Sequence, residues 1–332
     1  MSNKTTSPVP GYELALTKAA FFHHLIPGYL RISGDDRQAF LQRQTTNNID
    51  LLSPERSLVT VLTSPEGRIL DVLTVIDEDE TLGVITLPGQ GEKTFDFLQS
   101  RIFFMDKVTL EDASKSFIQI DLLGPGASEL IQLLGVDHAP EGSEIRTINM
   151  SGIQILVLSL AGLGYRLLIP AEGTQSILSE LKINGVQALD FENYEILRIE
   201  AGIPAASHEL TDEYSPLETG FQLAVSDDKG CYTGQEVLAR QVNFDKITRQ
   251  LVGLFISEEA NVGDTLYPPD KVQPVGKITS IADSPRFGPI ALAIVKRPFT
   301  QPGDKLRVGD QEPSILASIT EIPFQEHKQP VI

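Results

Sequence analysis

Hydrophobic and polar residues follow two different spacings before residue 250. Short apolar runs rich in β-branched residues predict strands, and they recur at 58–63, 68–76, 82–87, 117–122 and 153–158. Between them, segments with capping or turn residues at their ends predict amphipathic helices, at 37–44, 128–135 and 174–182. Strands mixed with helices in this way predict an α+β region.

After residue 250 the pattern changes to strands and turns alone. Apolar runs separated by Gly-Asp, Pro-Pro and Pro-Gly turns occur at 251–257, 275–283, 291–296, 305–308 and 315–322. Short strands at this spacing favour a small β-barrel or sandwich. The sequence therefore predicts an α/β region at 12–249, with a second subdomain near 110–185, and a β module at 250–325. Polar tails are expected at 1–11 and 326–332.

Charge and composition narrow the function classes. A net charge of −18 over 332 residues argues against a general nucleic-acid binder or a protein of anionic membranes. The polar start of the chain favours a flexible tail over a signal peptide. The most apolar stretch, 153–170, is interrupted by Gln154 and Arg166, so we expect no membrane span. One cysteine excludes a disulfide framework and predicts a reducing compartment, the cytoplasm.

That cysteine, Cys231, lies in the octapeptide KGCYTGQE at residues 229–236. Thr233 and Glu236 have the spacing of a capping box, so a helix is expected to begin near Gly234. The positive end of that helix and the Lys229 ammonium both favour the thiolate form of Cys231. Cys231 is therefore a candidate catalytic thiol. The alternative is a small buried hydrophobic residue in a turn.

Several motifs together resemble a known family. They are FLQRQTTNNI at 40–49, TSPEGRILD at 63–71, LRIEAGIP at 197–204, SPLETG at 215–220 and KGCYTGQEVLAR at 229–240. In this order, with VGKITS and ALAIVKR near the end, they resemble the YgfZ-type folate-binding proteins of iron–sulfur cluster assembly and repair. These are relatives of the glycine-cleavage T-protein, an aminomethyltransferase. The octapeptide is the most specific element, whereas LRIEAG is common to both branches.

The resemblance implies a fold and a cofactor. The fold would be α+β, with interwoven α/β folate-binding domains in a ring-like arrangement and a C-terminal antiparallel β-barrel. The cofactor would be tetrahydrofolate or a one-carbon derivative. Glu200, in LRIEAG, is similar to a T-protein glutamate that accepts the donor pair of the pterin ring. Its alternative role is an ion pair with Arg198 at a helix end, or exposure to solvent.

Asp71 is the second carboxylate that the resemblance singles out. T-proteins have a GG-V-I-D-D strand start, whose aspartate lies beside the folate nitrogen that takes the one-carbon unit. Asp71 matches the first aspartate of that pattern, and Val72 replaces the second. Asp71 is thus a candidate both for binding folate and for proton exchange with it. The alternative is a solvent-facing strand residue.

Basic residues of the octapeptide region are candidates for the folate glutamate tail. Lys229 and Arg240 gain this role only from their place in the motif, since lone surface cations mean little. Glu236 already has a structural role in the capping box. No cysteine and histidine spacing suits a metal site, and one thiolate cannot hold an iron–sulfur cluster alone.

Three functions remain in competition. The first is a folate-dependent accessory protein for iron–sulfur enzymes, with Cys231 as its functional thiol and client or assembly proteins as partners. The second is an aminomethyltransferase-type enzyme that moves a one-carbon unit onto tetrahydrofolate. The third is a folate-binding scaffold with no chemistry of its own. The intact octapeptide favours the first, and Asp71 keeps the second open.

Overall fold

The computed structural model describes residues 10–309 and 315–325. The predicted tail at 326–332 and most of the one at 1–11 lie outside these ranges. The described residues fall into two compact units. Those of Val9–Asn193 and Leu223–Gln235 are called the α/β unit, and those of Tyr194–Gln222 and Glu236–Ile332 are called the barrel unit. Each of these units is built from separate segments of the chain, whereas the sequence predicted one boundary at 249/250. That boundary remains a proposal.

The helices and strands of the described residues are numbered in chain order. The helices are α1 Pro10–Thr17, α2 Arg37–Gln44, α3 Gly91–Gln99, α4 Ala127–Leu133, α5 Thr174–Ile183, α6 Phe191–Glu200 and α7 Gln235–Asn243. The strands are β1 Ala20–His24, β2 Gly28–Ser33, β3 Leu58–Thr63, β4 Ile69–Asp77, β5 Thr81–Thr86, β6 Thr109–Asp112, β7 Phe117–Leu123, β8 Ile145–Met150, β9 Ile153–Leu160, β10 Gly164–Pro170, β11 Gln187–Ala188, β12 Arg249–Ile256, β13 Thr265–Tyr267, β14 Gly276–Ser284, β15 Gly288–Lys296, β16 Lys305–Val308 and β17 Ile315–Thr320.

The α/β unit contains two sheets. One has five strands in the order β3-β4-β5-β2-β6, and the other has six in the order β11-β1-β7-β10-β9-β8. Apolar residues of the five-stranded sheet pack with α2 and α3, around Phe40, Leu73 and Leu98. The six-stranded sheet packs one face against α4 and α5, around Ile131 and Leu181. Each core is built from the apolar positions that the sequence pattern marks, because these residues must leave water for the sheets to be stable.

The C-terminal strands close into an antiparallel barrel in the order β12-β15-β14-β13-β16-β17. Its interior is filled by aliphatic side chains such as Leu254, Ile278 and Ala293. The predicted α+β class and C-terminal antiparallel barrel are therefore confirmed, whereas the sequence pattern alone left a sandwich open. The ring-like arrangement stays an expectation. Within the described ranges, no helix has the length and apolar character needed to cross a membrane.

Candidate functional site

Asp71 lies on β4, next to an irregularity in the pairing of β3 with β4. Leu62 pairs with Asp71 but Thr63 pairs with Ile69, so one residue of β4 is bulged at this point. The Asp71 side chain is 1% exposed, and Ile69 and Leu73 on either side are also buried. The alternative of a solvent-facing strand residue is therefore wrong. An aspartate is rarely buried to this extent unless its carboxyl group has hydrogen-bond partners.

Three donors satisfy the Asp71 carboxylate. The backbone N–H groups of Val72 and Leu87 donate to Oδ1 at 2.8 and 3.1 Å. The Thr94 hydroxyl, on α3, donates to Oδ2 at 2.6 Å. Burial nevertheless raises the pKa of Asp71 to about 7, and the three hydrogen bonds only partly oppose that rise. Asp71 can therefore gain or lose a proton near neutral pH, as a general acid or base must.

Thr94 was not singled out from the sequence. It occupies the buried face of α3 with Gly91 and Leu98, at the i, i+3, i+7 spacing of a core-facing stripe. A hydroxyl at a position where an apolar residue is expected is the one sequence signal that marks it. Its partner, 23 residues away, is visible only in the structure.

Lys229 holds the octapeptide against the turn that follows α2. Its ammonium donates to the backbone oxygens of Thr45, at 2.7 Å, and Asn47. It also lies 5.2 Å from the centre of the Tyr232 ring. Burial lowers the pKa of Lys229 to about 8, although the nearby Asp50 carboxylate acts in the opposite direction. These contacts give Lys229 a structural role within the α/β unit.

The end of the octapeptide packs on the loop that leads into β4. Thr63 donates its hydroxyl to the Thr233 carbonyl at 2.7 Å. Gly234 has a φ of +85°, and a Cβ there would lie 2.6 Å from the Ser64 oxygen and 3.0 Å from the Gly67 Cα. Only glycine fits this position. The structure thus brings the octapeptide and the start of the Asp71 strand together.

Cys231 is exposed. The alternative of a small buried residue in a turn is therefore wrong for its side chain. The helix that follows, α7, begins at Gln235, one residue after the predicted start. Cys231 is consequently an accessible thiol on a segment that Lys229 and Gly234 anchor on either side.

Glu200, in the barrel unit, is the last residue of α6. Its side chain is 6% exposed. It accepts a hydrogen bond from the Ser284 hydroxyl and pairs with the Arg286 guanidinium at 3.5 Å. Arg198, the partner considered from the sequence, instead pairs with Glu195 and with Glu209. Glu200 is therefore a buried carboxylate held by residues of the barrel rather than a solvated helix end.

Arg240 is a surface residue of the barrel unit. Its side chain is 69% exposed and pairs at 2.7 Å with Glu236, which is 79% exposed. An exposed pair of this kind contributes little to stability.

The predicted site residues are divided between the two units. Asp71, Lys229 and Cys231 belong to the α/β unit, and Glu200 and Arg240 to the barrel unit. In the described part of the chain, no cluster of side chains suits a metal ion.

Comparisons with known proteins identify relatives that cover most of the chain. Residues 15–229 match the family profile described as the GCVT N-terminal domain, and residues 249–325 match the glycine cleavage T-protein C-terminal barrel domain. A chloroplastic protein of Arabidopsis thaliana, whose name suggests a transferase, is 29% identical over 91% of this chain and 70% of its own. An aminomethyltransferase of Prosthecochloris aestuarii is 28% identical over 93% of this chain and 88% of its own. The crystal structure of aminomethyltransferase T from Bartonella henselae shares the fold, with a TM-score of 0.83 and 18% identity, over 96% of this chain and 90% of that one.

Proposed function

Because this chain belongs to the glycine cleavage T-protein family, we propose that it binds tetrahydrofolate and transfers a one-carbon unit as aminomethyltransferases do. The observation that carries the proposal is Asp71. It is a buried carboxyl group whose pKa of about 7 suits proton exchange at neutral pH. Membership of the YgfZ branch is a narrower proposal, which rests on the octapeptide.

Each of the two buried carboxylates supports the folate proposal by its own chemistry. Glu200, which Ser284 and Arg286 contact, would offer a carboxylate to the donor pair of the pterin ring. Bound tetrahydrofolate would supply the nitrogen that carries the one-carbon unit. Asp71 would exchange a proton through Oδ2, while the N–H groups of Val72 and Leu87 hold Oδ1.

The two basic residues have different support as folate ligands. Lys229 contacts Thr45 and Asn47, so we assign it the task of holding the octapeptide in place. Arg240 is exposed on α7, and its partner in the structure is Glu236. A contact of Arg240 with the anionic tail of a folate is retained as a proposal on the motif alone.

The test is turnover with an aminomethyl-lipoyl carrier and tetrahydrofolate. We expect methylene transfer by the wild-type protein, and a rate about 10²–10⁴-fold lower in Asp71→Asn, the range for losing a general acid or base. Asp35→Asn, the same change at an aspartate whose side chain is 77% exposed, is the matched control and should leave the rate unchanged. Absence of transfer by a wild-type protein that binds tetrahydrofolate would overturn the enzymatic proposal.

A second candidate, which the exposure of Cys231 favours, is the folate-dependent accessory role in iron–sulfur enzymes. A single thiol suits a transient contact with a client or assembly protein rather than a resident cluster. The test is complementation of a strain that lacks its own YgfZ-type protein, scored by the activity of a cluster-dependent enzyme. We propose that the protein acts in the cytoplasm. Restoration by the wild type but not by Cys231→Ala would support the accessory role. Equal restoration by both proteins would remove Cys231 from it.

A further inference from the structure

The Asp71 carboxyl group is held asymmetrically. Oδ1 accepts two hydrogen bonds from backbone N–H groups, which can only donate. Oδ2 accepts one from the Thr94 hydroxyl at 2.6 Å, and a hydroxyl can either donate or accept. A proton on Oδ1 would face two other protons, whereas a proton on Oδ2 would face a group that can become its acceptor. Oδ2 is therefore the oxygen on which the proton is stable.

We propose that Thr94 is a positioning residue, whose hydroxyl fixes Oδ2 of Asp71 as the oxygen that gains and loses the proton. When Asp71 is ionised, the hydroxyl donates to Oδ2. When Asp71 is neutral, the new Oδ2–H bond donates to the Thr94 oxygen, and the hydroxyl hydrogen turns to another acceptor. In a helix, a threonine hydroxyl can reach the carbonyl four residues earlier. That residue is Gln90, whose carbonyl already accepts the Thr94 N–H.

No charged side chain is among the causes of the shift at Asp71. The pKa of this group is raised by burial and is lowered by the hydrogen bonds from Thr94, Leu87 and Val72. Of these three donors, only the Thr94 hydroxyl can be removed by a side-chain substitution. Thr94 is itself 3% exposed, so water does not readily take its place. The structure thus offers one position at which the proton affinity of Asp71 is adjustable.

This inference deepens the proposed role of Asp71 and rests on the proposed function for its meaning, but its test needs no folate. The free energy of unfolding is measured against pH for wild type and Asp71→Asn, and again with Thr94→Val in both proteins. In each background, the free energy of unfolding of the aspartate protein is compared with that of the asparagine protein. The difference between the two changes with pH up to the pKa of the folded Asp71 carboxyl group and is constant above it. Loss of a hydrogen bond to a charged group corresponds to a shift of about one to two pH units. We therefore expect levelling near pH 7 in the wild-type background and about one to two pH units higher in the Thr94→Val background.

Further variants separate positioning from packing. Thr94→Ser keeps the hydroxyl, so the free-energy difference should level off near pH 7. Thr94→Ala also removes the hydroxyl, so the difference should level off about one to two pH units higher, which tests the inference if Thr94→Val does not fold. Thr279→Val is the matched control, because Thr279 is a buried threonine of the barrel unit whose hydroxyl donates to the Leu292 carbonyl rather than to Asp71. The same levelling pH in Thr94→Val and wild type, or a shift of equal size in Thr279→Val, would overturn the inference. Absence of one-carbon transfer would instead bear only on the proposed function.

Discussion

Replacing Asp71 with asparagine is expected to make the folded protein more stable above neutral pH. Asparagine resembles the neutral form of the aspartate. Its oxygen can accept the Val72 and Leu87 N–H groups, and its amide nitrogen can donate to Thr94. The variant therefore keeps the contacts of the site but has no charge to bury. Wild-type protein must ionise a carboxyl group that is 1% exposed.

The size and sign of the effect follow from the pKa of Asp71. Because that pKa rises from 3.8 to about 7 on folding, the folded state holds the proton more tightly than the unfolded state. The stability that Asp71 contributes is complete below about pH 4 and is lost as pH rises through 7. At 1.36 kcal/mol per pH unit, the full interval corresponds to about 4 kcal/mol. Between pH 5 and 8, the advantage of the variant should grow by about 2–3 kcal/mol.

Urea unfolding followed by circular dichroism measures this advantage, since the chain contains no tryptophan for fluorescence. All other titrating groups are common to the two proteins, so their contributions cancel in the difference. Thr279→Val, which removes a buried hydroxyl but no ionisable group, serves as a control whose difference from wild type should stay nearly constant with pH. A difference between Asp71→Asn and wild type that stays constant within about 0.5 kcal/mol from pH 5 to 8 would refute the reasoning.

Three further outcomes are expected. Gly234→Ala should lower the free energy of unfolding by at least about 2 kcal/mol in urea titrations. The reason is that φ is positive at Gly234 and the added Cβ would meet the Ser64 carbonyl. Gly230 has open space around it, so Gly230→Ala should change the free energy of unfolding by less than about 0.5 kcal/mol. Glu200→Gln should weaken tetrahydrofolate binding in calorimetry by roughly 10- to 150-fold, the value of a charge-assisted hydrogen bond, and equal affinities would remove Glu200 from the site. Iodoacetamide should label native wild-type protein once, at Cys231, and a need for denaturant would contradict its exposure.

The helices and strands were predictable because their sequence signals are local. Strand β3 was predicted with its observed bounds, as was α2, since period-two and helical spacings are properties of neighbouring residues. Asp71 alternates along the strand with Ile69 and Leu73, which are buried. That alternation predicts a buried side chain for Asp71, whereas the polarity of aspartate predicts an exposed one. What decides in favour of burial is the set of donors from β4, from α3 and from the residue that follows β5, which local sequence does not reveal.

The contacts of the site residues were not predictable because they join distant parts of the chain. Lys229 contacts a carbonyl 184 residues earlier, and no composition or spacing rule indicates that partner. The family resemblance selected Asp71 and Glu200, but only the structure shows that Thr94 and Arg286 hold them. The interpretation of Arg240 as a folate ligand depended on the motif, and its side chain is exposed.

The return of residues 223–235 to the α/β unit sets the order in which that unit can be completed. During synthesis, the five-stranded sheet and α3 emerge more than 100 residues before Lys229 and Gly234. Until then, the carbonyls of Thr45 and Asn47 lack the Lys229 ammonium, and Gly234 does not yet pack against the loop before β4. Contacts of such long sequence separation form late and slowly. The α/β unit is therefore incomplete until residues 223–235 have been synthesised, and an incomplete unit exposes apolar surface that chaperones can recognise.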